Sequence, residues 1–296
     1  MKRDVILFVL TWVSLSVGAN AQTAPRKCAT ATAMSSEAGS ESAFIECARR
    51  GAAKYEDQAA AILDGYRLIG QDFPGMGEHW INISILFDGI FDPERPEVLS
   101  YIEVGGAPQL LGVAYAIPLL PGERAPEWPW PEAWHAHYRT LDDETMLPEH
   151  HLPGGVPDRA RIAMLHTWIW AENPAGTFAA DNWAIPYVRL GLSPPAGAPQ
   201  AAARALSLVS GGSDYFKEAI ARVATPTPTN IRRIEIAFDS AEGEVGVLLG
   251  DSAPGTLTTD DTSRLSEIWN RLWNTVDSSV DSASRPRLTE LGLGSH

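Results

Sequence analysis

Leu110-Leu111-Gly112-Val113-Ala114-Tyr115-Ala116-Ile117 decides how this chain is read. Small and large residues mix in it, as in a strand with one crowded face. Working outward, residues 80–87, 97–104 and 164–170 also read as strands. They are separated by Asp88-Gly89, by Asp92-Pro93-Glu94-Arg95-Pro96 and by Gly105-Gly106, which are turn and breaker signals. In the last strand Trp168 and Trp170 fall on one face, and His166 shares their parity.

Helical spacing flanks this β-rich middle. Over residues 40–68, Phe44, Cys47, Ala48, Ala52, Tyr55, Ala59, Ile62 and Leu63 recur at steps of three and four, the period of an apolar helix face. Pro194-Pro195-Ala196-Gly197 then punctuates the chain. Beyond it, helices are expected near 199–209 and 213–224. Two strands are expected at 232–238 and 243–249, turned at 240–243. A last helix starts near Thr258 or Thr259, with Asp260 and Asp261 in its first turn. Its apolar stripe is Leu265, Ile268, Trp269, Leu272, Trp273 and Val276. The expected class is α+β: an N-terminal helix, a central antiparallel β-sheet or barrel, and a smaller C-terminal α/β region.

The first residues carry an address. Lys2 and Arg3 precede an apolar run from Val5 to Val17, and Ala19-Asn20-Ala21 supplies small residues for a peptidase. This order marks a cleavable signal peptide over 1–21. The run is too short to span a bilayer, and no later segment is long enough, so no membrane span is expected after cleavage. The expected location is periplasmic or extracellular. Residues 22–38 read as a flexible arm, 39–195 as a helix plus a histidine- and tryptophan-rich β domain, and 196–296 as the C-terminal region.

The formal charge of the chain is −14. Such an acidic chain repels nucleic acid, so DNA and RNA are set aside as partners. The only cysteines are Cys28 and Cys47. In an oxidising compartment an even pair closes into a disulfide. The competing reading makes both metal-binding thiols, although their spacing fits no zinc template.

Histidine is concentrated. Six of the seven lie between residues 79 and 166, and seven of the ten tryptophans fall in much the same region, from Trp80 to Trp183. His135-Ala136-His137 is an H-x-H pair, which on a strand presents both positions to one face. His166 sits in an apolar strand, where a buried imidazole needs a partner. His79 follows the glycine-rich Gly75-Met76-Gly77-Glu78. Neutral imidazole suits Zn or Cu. Glu78 and Asn82 are candidates for orienting the rings, and Asp142, Asp143, Glu144 and Glu149 for completing a shell. Each histidine also has a structural reading: His166 bonded to a backbone carbonyl in the core, His79 bonded to Glu78 or Asn82, and His135 and His137 as a polar strand face. His150 and His151 precede Pro153-Gly154-Gly155 and read as an exposed loop.

Four strings occur in order between residues 66 and 183: Pro74-Gly75-Met76-Gly77-Glu78-His79-Trp80-Ile81-Asn82, Asp92-Pro93-Glu94-Arg95-Pro96-Glu97-Val98-Leu99-Ser100-Tyr101, Leu111-Gly112-Val113-Ala114-Tyr115, and Leu165-His166-Thr167-Trp168-Ile169-Trp170 followed by Asn173-Pro174-Ala175-Gly176. Together they resemble a family of uncharacterised secreted bacterial proteins. The resemblance implies that His79, Asn82, His166, Trp168, Asn173 and Gly176 matter to the family. It adds Asn173 to the residues that could support a site.

Two functions follow as expectations. One is a transition-metal site of His79, His135, His137 and His166, holding Cu or Zn for storage, transfer or metal-dependent chemistry. The alternative is a metal-free β-barrel that binds an apolar or aromatic small ligand among its tryptophans. No G-x-S-x-G, dinucleotide or phosphate-loop pattern occurs.

Overall fold

A computed structural model describes residues 41–120, 133–138, 160–197, 199–251 and 255–290. Six antiparallel strands form one sheet: β1 (Arg67–Phe73), β2 (Gly77–Ile81), β3 (Val98–Val104), β4 (Ala107–Pro118), β5 (His135–Tyr138) and β6 (Ala160–Trp168). Their order is β1-β2-β3-β4-β6-β5. The sheet is open, with β1 and β5 at its edges, so the barrel alternative gives way to an open sheet. The run over residues 110–117 lies in β4, in the middle of the sheet.

The N-terminal helical stretch breaks into α1 (Glu41–Ala52), a 3₁₀ turn (Ala53–Glu56) and α2 (Gln58–Leu63). Asp57 starts α2 by accepting from the Ala59 N–H. The chain then becomes β1, a strand not expected from the sequence, which begins at the end of the helical stretch expected over 40–68. The expected strand over 80–87 also stops early. Asn82 accepts from the Ser84 and Ile85 N–H groups and caps a one-turn helix, α3 (Ile83–Leu86).

α1 and α2 cover one face of the sheet. Phe44, Ala48, Tyr55 and Ala61 pack there with Leu99, Tyr101, Val113, Tyr115 and Leu165. The loop before β3 is tied to the same side. Tyr66 donates to the Pro96 carbonyl and Tyr115 to the Pro93 carbonyl. A Cβ on Gly51 of α1 would meet the Glu94 carbonyl oxygen at 2.1 Å, so the helix needs glycine where this loop crosses. Trp80 and Trp170 also pack on this side. The chain turns after Trp168, so Trp168 and Trp170 do not share a face as their parity suggested.

The opposite face carries Ile81, Val98, Ala114, Ala116 and Met164 at one end. At the other end lie Phe73, Met76, Ile102, Leu111 and Trp168, which pack on Ile185 of α4 (Ile185–Arg189). Tyr215 of α6 (Ser213–Ala224) joins them. Arg189 pairs with Asp72 of β1 at 2.5 Å and fastens α4 to the sheet edge.

The C-terminal region is helical among the described residues, a correction to the expected α/β arrangement. It holds α5 (Gln200–Ser207), a π-turn (Leu208–Gly212), α6, α7 (Pro228–Asp251), α8 (Thr259–Ser279) and α9 (Arg285–Glu290). Both expected strands, 232–238 and 243–249, lie inside α7. Ile234-Glu235-Ile236 alternates like a strand, but the buried set is Ile234, Phe238, Ala241, Val245 and Leu248. That spacing of four and three is helical, and packing along it outweighs the cost of about 1 kcal/mol for each interior glycine. α8 starts as expected: Thr258 and Asp261 form a reciprocal capping box. Its stripe of Leu265, Ile268, Trp269, Leu272, Trp273 and Val276 is buried core.

Candidate metal centre

β2 and β6 present His79 and His166. Cross-strand partners share a face. His79 pairs with Ser100, Ser100 with Gly112 and Gly112 with Trp168. The neighbouring row runs Ile81, Val98, Ala114, His166. Both histidines therefore stand on the face away from α1. Two strands separate β2 from β6, a backbone separation of about 14 Å in a flat sheet. The two ring centres are nevertheless 5.5 Å apart, at 87°. The residues between them are Ser100 and Gly112 in one row and Val98 and Ala114 in the other; three of these four are small, which lets the rings lean together. Gly112 has a second reason to be glycine: its Cβ would meet the Thr167 carbonyl oxygen at 2.6 Å.

Aromatic rings enclose the pair. Phe73 lies edge-on to His79 at 5.5 Å, and Trp168 stacks on His166 at 5.7 Å. Tyr215 of α6 abuts Phe73 at 5.7 Å. Burial raises the Tyr215 hydroxyl well above the ordinary phenol range, and nearby Asp181 adds to the shift. His79 is 7% exposed and His166 1%. The Ser100 hydroxyl, in the His79 row, is fully buried and has no hydrogen-bond partner among the described residues. Sequence reasoning missed Ser100 and Tyr215. The one available signal for Ser100 was a polar residue inside the apolar run Val98-Leu99-Ser100-Tyr101.

The distance between ring centres is that of a shared ion, while the edge-to-face orientation is that of packed rings. A Zn–N bond of about 2.0–2.1 Å puts the metal ~3.2 Å from each ring centre, and a tetrahedral angle then separates the centres by ~5.2 Å. His135 and His137 lie in edge strand β5. Register sets His135 opposite Met164 and His137 opposite Ile162, the β6 positions of the same parity as His166. Among the described residues, no group of three or more His, Cys, Asp or Glu is gathered to hold a metal. His150, His151, Asp142, Asp143, Glu144 and Glu149 lie outside the described residues.

The residues expected to support the rings have other partners. Glu78 accepts from the Trp80 indole N–H at 3.0 Å, and it pairs with Tyr101 in the register that faces α1. Asn82, besides capping α3, donates to the Asp64 carbonyl. Asn173 donates to the Asp181 carbonyl and accepts from the Ala175 N–H. It forms the expected tight turn, which closes with Gly176 N–H on the Asn173 carbonyl. Cys47 is buried on α1, and Cys28 lies outside the described residues, as do 1–21 and the arm.

No family profile, curated protein or solved structure matches the chain. No helix among the described residues is long and apolar enough to cross a membrane.

Proposed function

We propose that this chain is an exported protein that binds a transition-metal ion, Cu or Zn, through His79 and His166. The observation that carries the reading is the 5.5 Å separation of two buried imidazoles drawn from strands that are not neighbours. Two imidazoles make an incomplete set for zinc, which takes four ligands in structural sites and three protein ligands in catalytic ones. His135 and His137 of β5 are the proposed source of the remainder. Copper is a live alternative to zinc outside the cytosol, because imidazole suits both.

Elemental analysis of protein purified from the periplasm tests this. About one equivalent of Cu or Zn is expected, with loss in a His79→Phe/His166→Phe variant that still folds. Less than a tenth of an equivalent, unrecovered after dialysis against either metal, overturns it.

A second reading rests on the Trp168 ring stacked on His166. It makes the aromatic cluster a binding site for an apolar or aromatic small ligand, with the imidazoles as orienting groups. Trp fluorescence that does not respond to a panel of such ligands sinks it.

A further inference from the structure

α7 is apolar on two sides. Its core stripe of Ile234, Phe238, Ala241, Val245 and Leu248 is buried. At 100° per residue, a second stripe of Ile236, Ser240, Gly243 and Val247 lies on the opposite side of the helix. Ile236 is 58% exposed and Val247 64%. Hollows open at both ends of this stripe. One, of about 500 Å³, is lined by Ser240, Gly243 and Val247 together with Arg264 and Arg271 of α8. The other, of about 470 Å³, is lined by Pro228, Thr229, Arg232, Arg233 and Ile236.

The second stripe keeps coiled-coil spacing, with steps of four, three and four. In an antiparallel pair of such helices the two seam positions alternate across the interface. Centring the pair between Ser240 and Gly243 sets Ser240 against the other copy's Gly243, and Ile236 against its Val247. The small residues at the centre allow close approach, and the apolar side chains flank them. The same register brings Arg232 and Arg233 of one copy beside Gly250 and Asp251 of the other. These three charged residues have no ion-pair partner among the described residues. Asp239 and Glu244 lie on opposite flanks of the stripe; Asp239 shares Lys217 with Glu242, and Glu244 pairs with Arg271. One register therefore matches the apolar residues and the small residues and sets Arg233 of each copy beside Asp251 of the other.

We infer that the exposed face of α7 is the interface of a two-fold homodimer, with two α7 helices packed antiparallel. A two-fold interface uses the same patch on both copies, which is what a self-complementary helix supplies. The inference is independent of the histidine site.

Light scattering and sedimentation on the full mature chain test it. Wild type is expected at twice the monomer mass at tens of micromolar. Ile236→Asp and Val247→Asp are each expected to give monomer with unchanged helical circular dichroism. Asp251→Lys reduces the net negative charge, so general repulsion predicts a tighter dimer, whereas this register predicts one at least tenfold weaker. R232E/R233E/D251K restores the ion pairs with reversed sign and is expected within threefold of wild type. A monomeric wild type, a dimer indifferent to Ile236→Asp and Val247→Asp, tighter association of Asp251→Lys, or no recovery in the triple variant each overturns the proposal.

Discussion

His79 and His166 meet edge to face, ring centres 5.5 Å apart, across two intervening strands. Two such rings could meet for packing alone. The two roles separate if volume is kept and nitrogen removed. His79→Phe conserves the aromatic edge against Phe73, so its loss of metal-free stability is expected to stay below about 1.5 kcal/mol. Excess Zn or Cu at a hundred times its Kd should stabilise wild type by about 2.7 kcal/mol and leave the variant unmoved. Thermal melts with and without metal check both halves. Equal stabilisation of the two proteins would place the ion elsewhere.

Glu97 gives the fold a pH dependence. It is 3% exposed and begins the chain into β3. Burial pushes its carboxyl up to about 8, against the pull of the Ala116 N–H donated to it. An acid whose folded pKa is raised contributes most when protonated in both states. That contribution is complete below the unfolded value near 4.5 and is lost as pH rises towards 8. Wild type is therefore expected to lose on the order of a few kcal/mol between pH 5 and pH 9 from this group. Glu97→Gln should flatten the profile and be the more stable protein at pH 9. Urea titrations at both pH values measure it, and parallel profiles would refute the assignment.

Gly77 tests the approach of β2 to β3. Its φ is +75°, and a Cβ would meet the Tyr101 carbonyl oxygen at 2.3 Å. Gly105 also has positive φ, but nothing lies within 4 Å of its Cβ. Gly77→Ala carries both conformational strain and overlap, roughly 2–5 kcal/mol. Gly105→Ala carries only the strain, about 1–2 kcal/mol. Denaturant midpoints should rank them in that order, and a reversed order would contradict this strand pairing.

Local sequence revealed β3 and β4 well, placed β6 four residues late, did not show β1, and read the C-terminal region poorly. β3, β4 and β6 are continuous apolar runs bounded by strong turn signals. The Gly105-Gly106 hairpin has positive φ at both residues, as its composition requires. In α7, Ile234-Glu235-Ile236 satisfies a period of two over three residues and a period near four over twenty-four. Only the longer window separates them, and Gly243 taken locally is a turn signal. For the candidate site, sequence could name His79 and His166 but not bring them together. Their approach depends on register and on the small size of Ser100, Gly112 and Ala114, which are properties of the assembled sheet. Asn82 and Asn173 stood out among the motifs because each satisfies several backbone groups at a turn, a structural role that motif spacing does not distinguish from a functional one.

Cys47 supplies the last test. It is buried on α1, in the same turn as Phe44 and Ala48, which pack against the sheet. Its proposed partner is Cys28, and the bridge would close a loop of about 20 residues and tie the N-terminal arm to α1. Loop-closure entropy for such a length corresponds to about 3 kcal/mol. Protein purified from the periplasm without reductant is expected to show no thiol reactive to Ellman's reagent under denaturing conditions, and two after reduction. Reduction, or a Cys28→Ser/Cys47→Ser pair, should lower unfolding stability by about that amount while leaving metal content unchanged. Metal lost together with the thiols would instead join Cys47 to the histidines as a ligand, and the bridge would not exist.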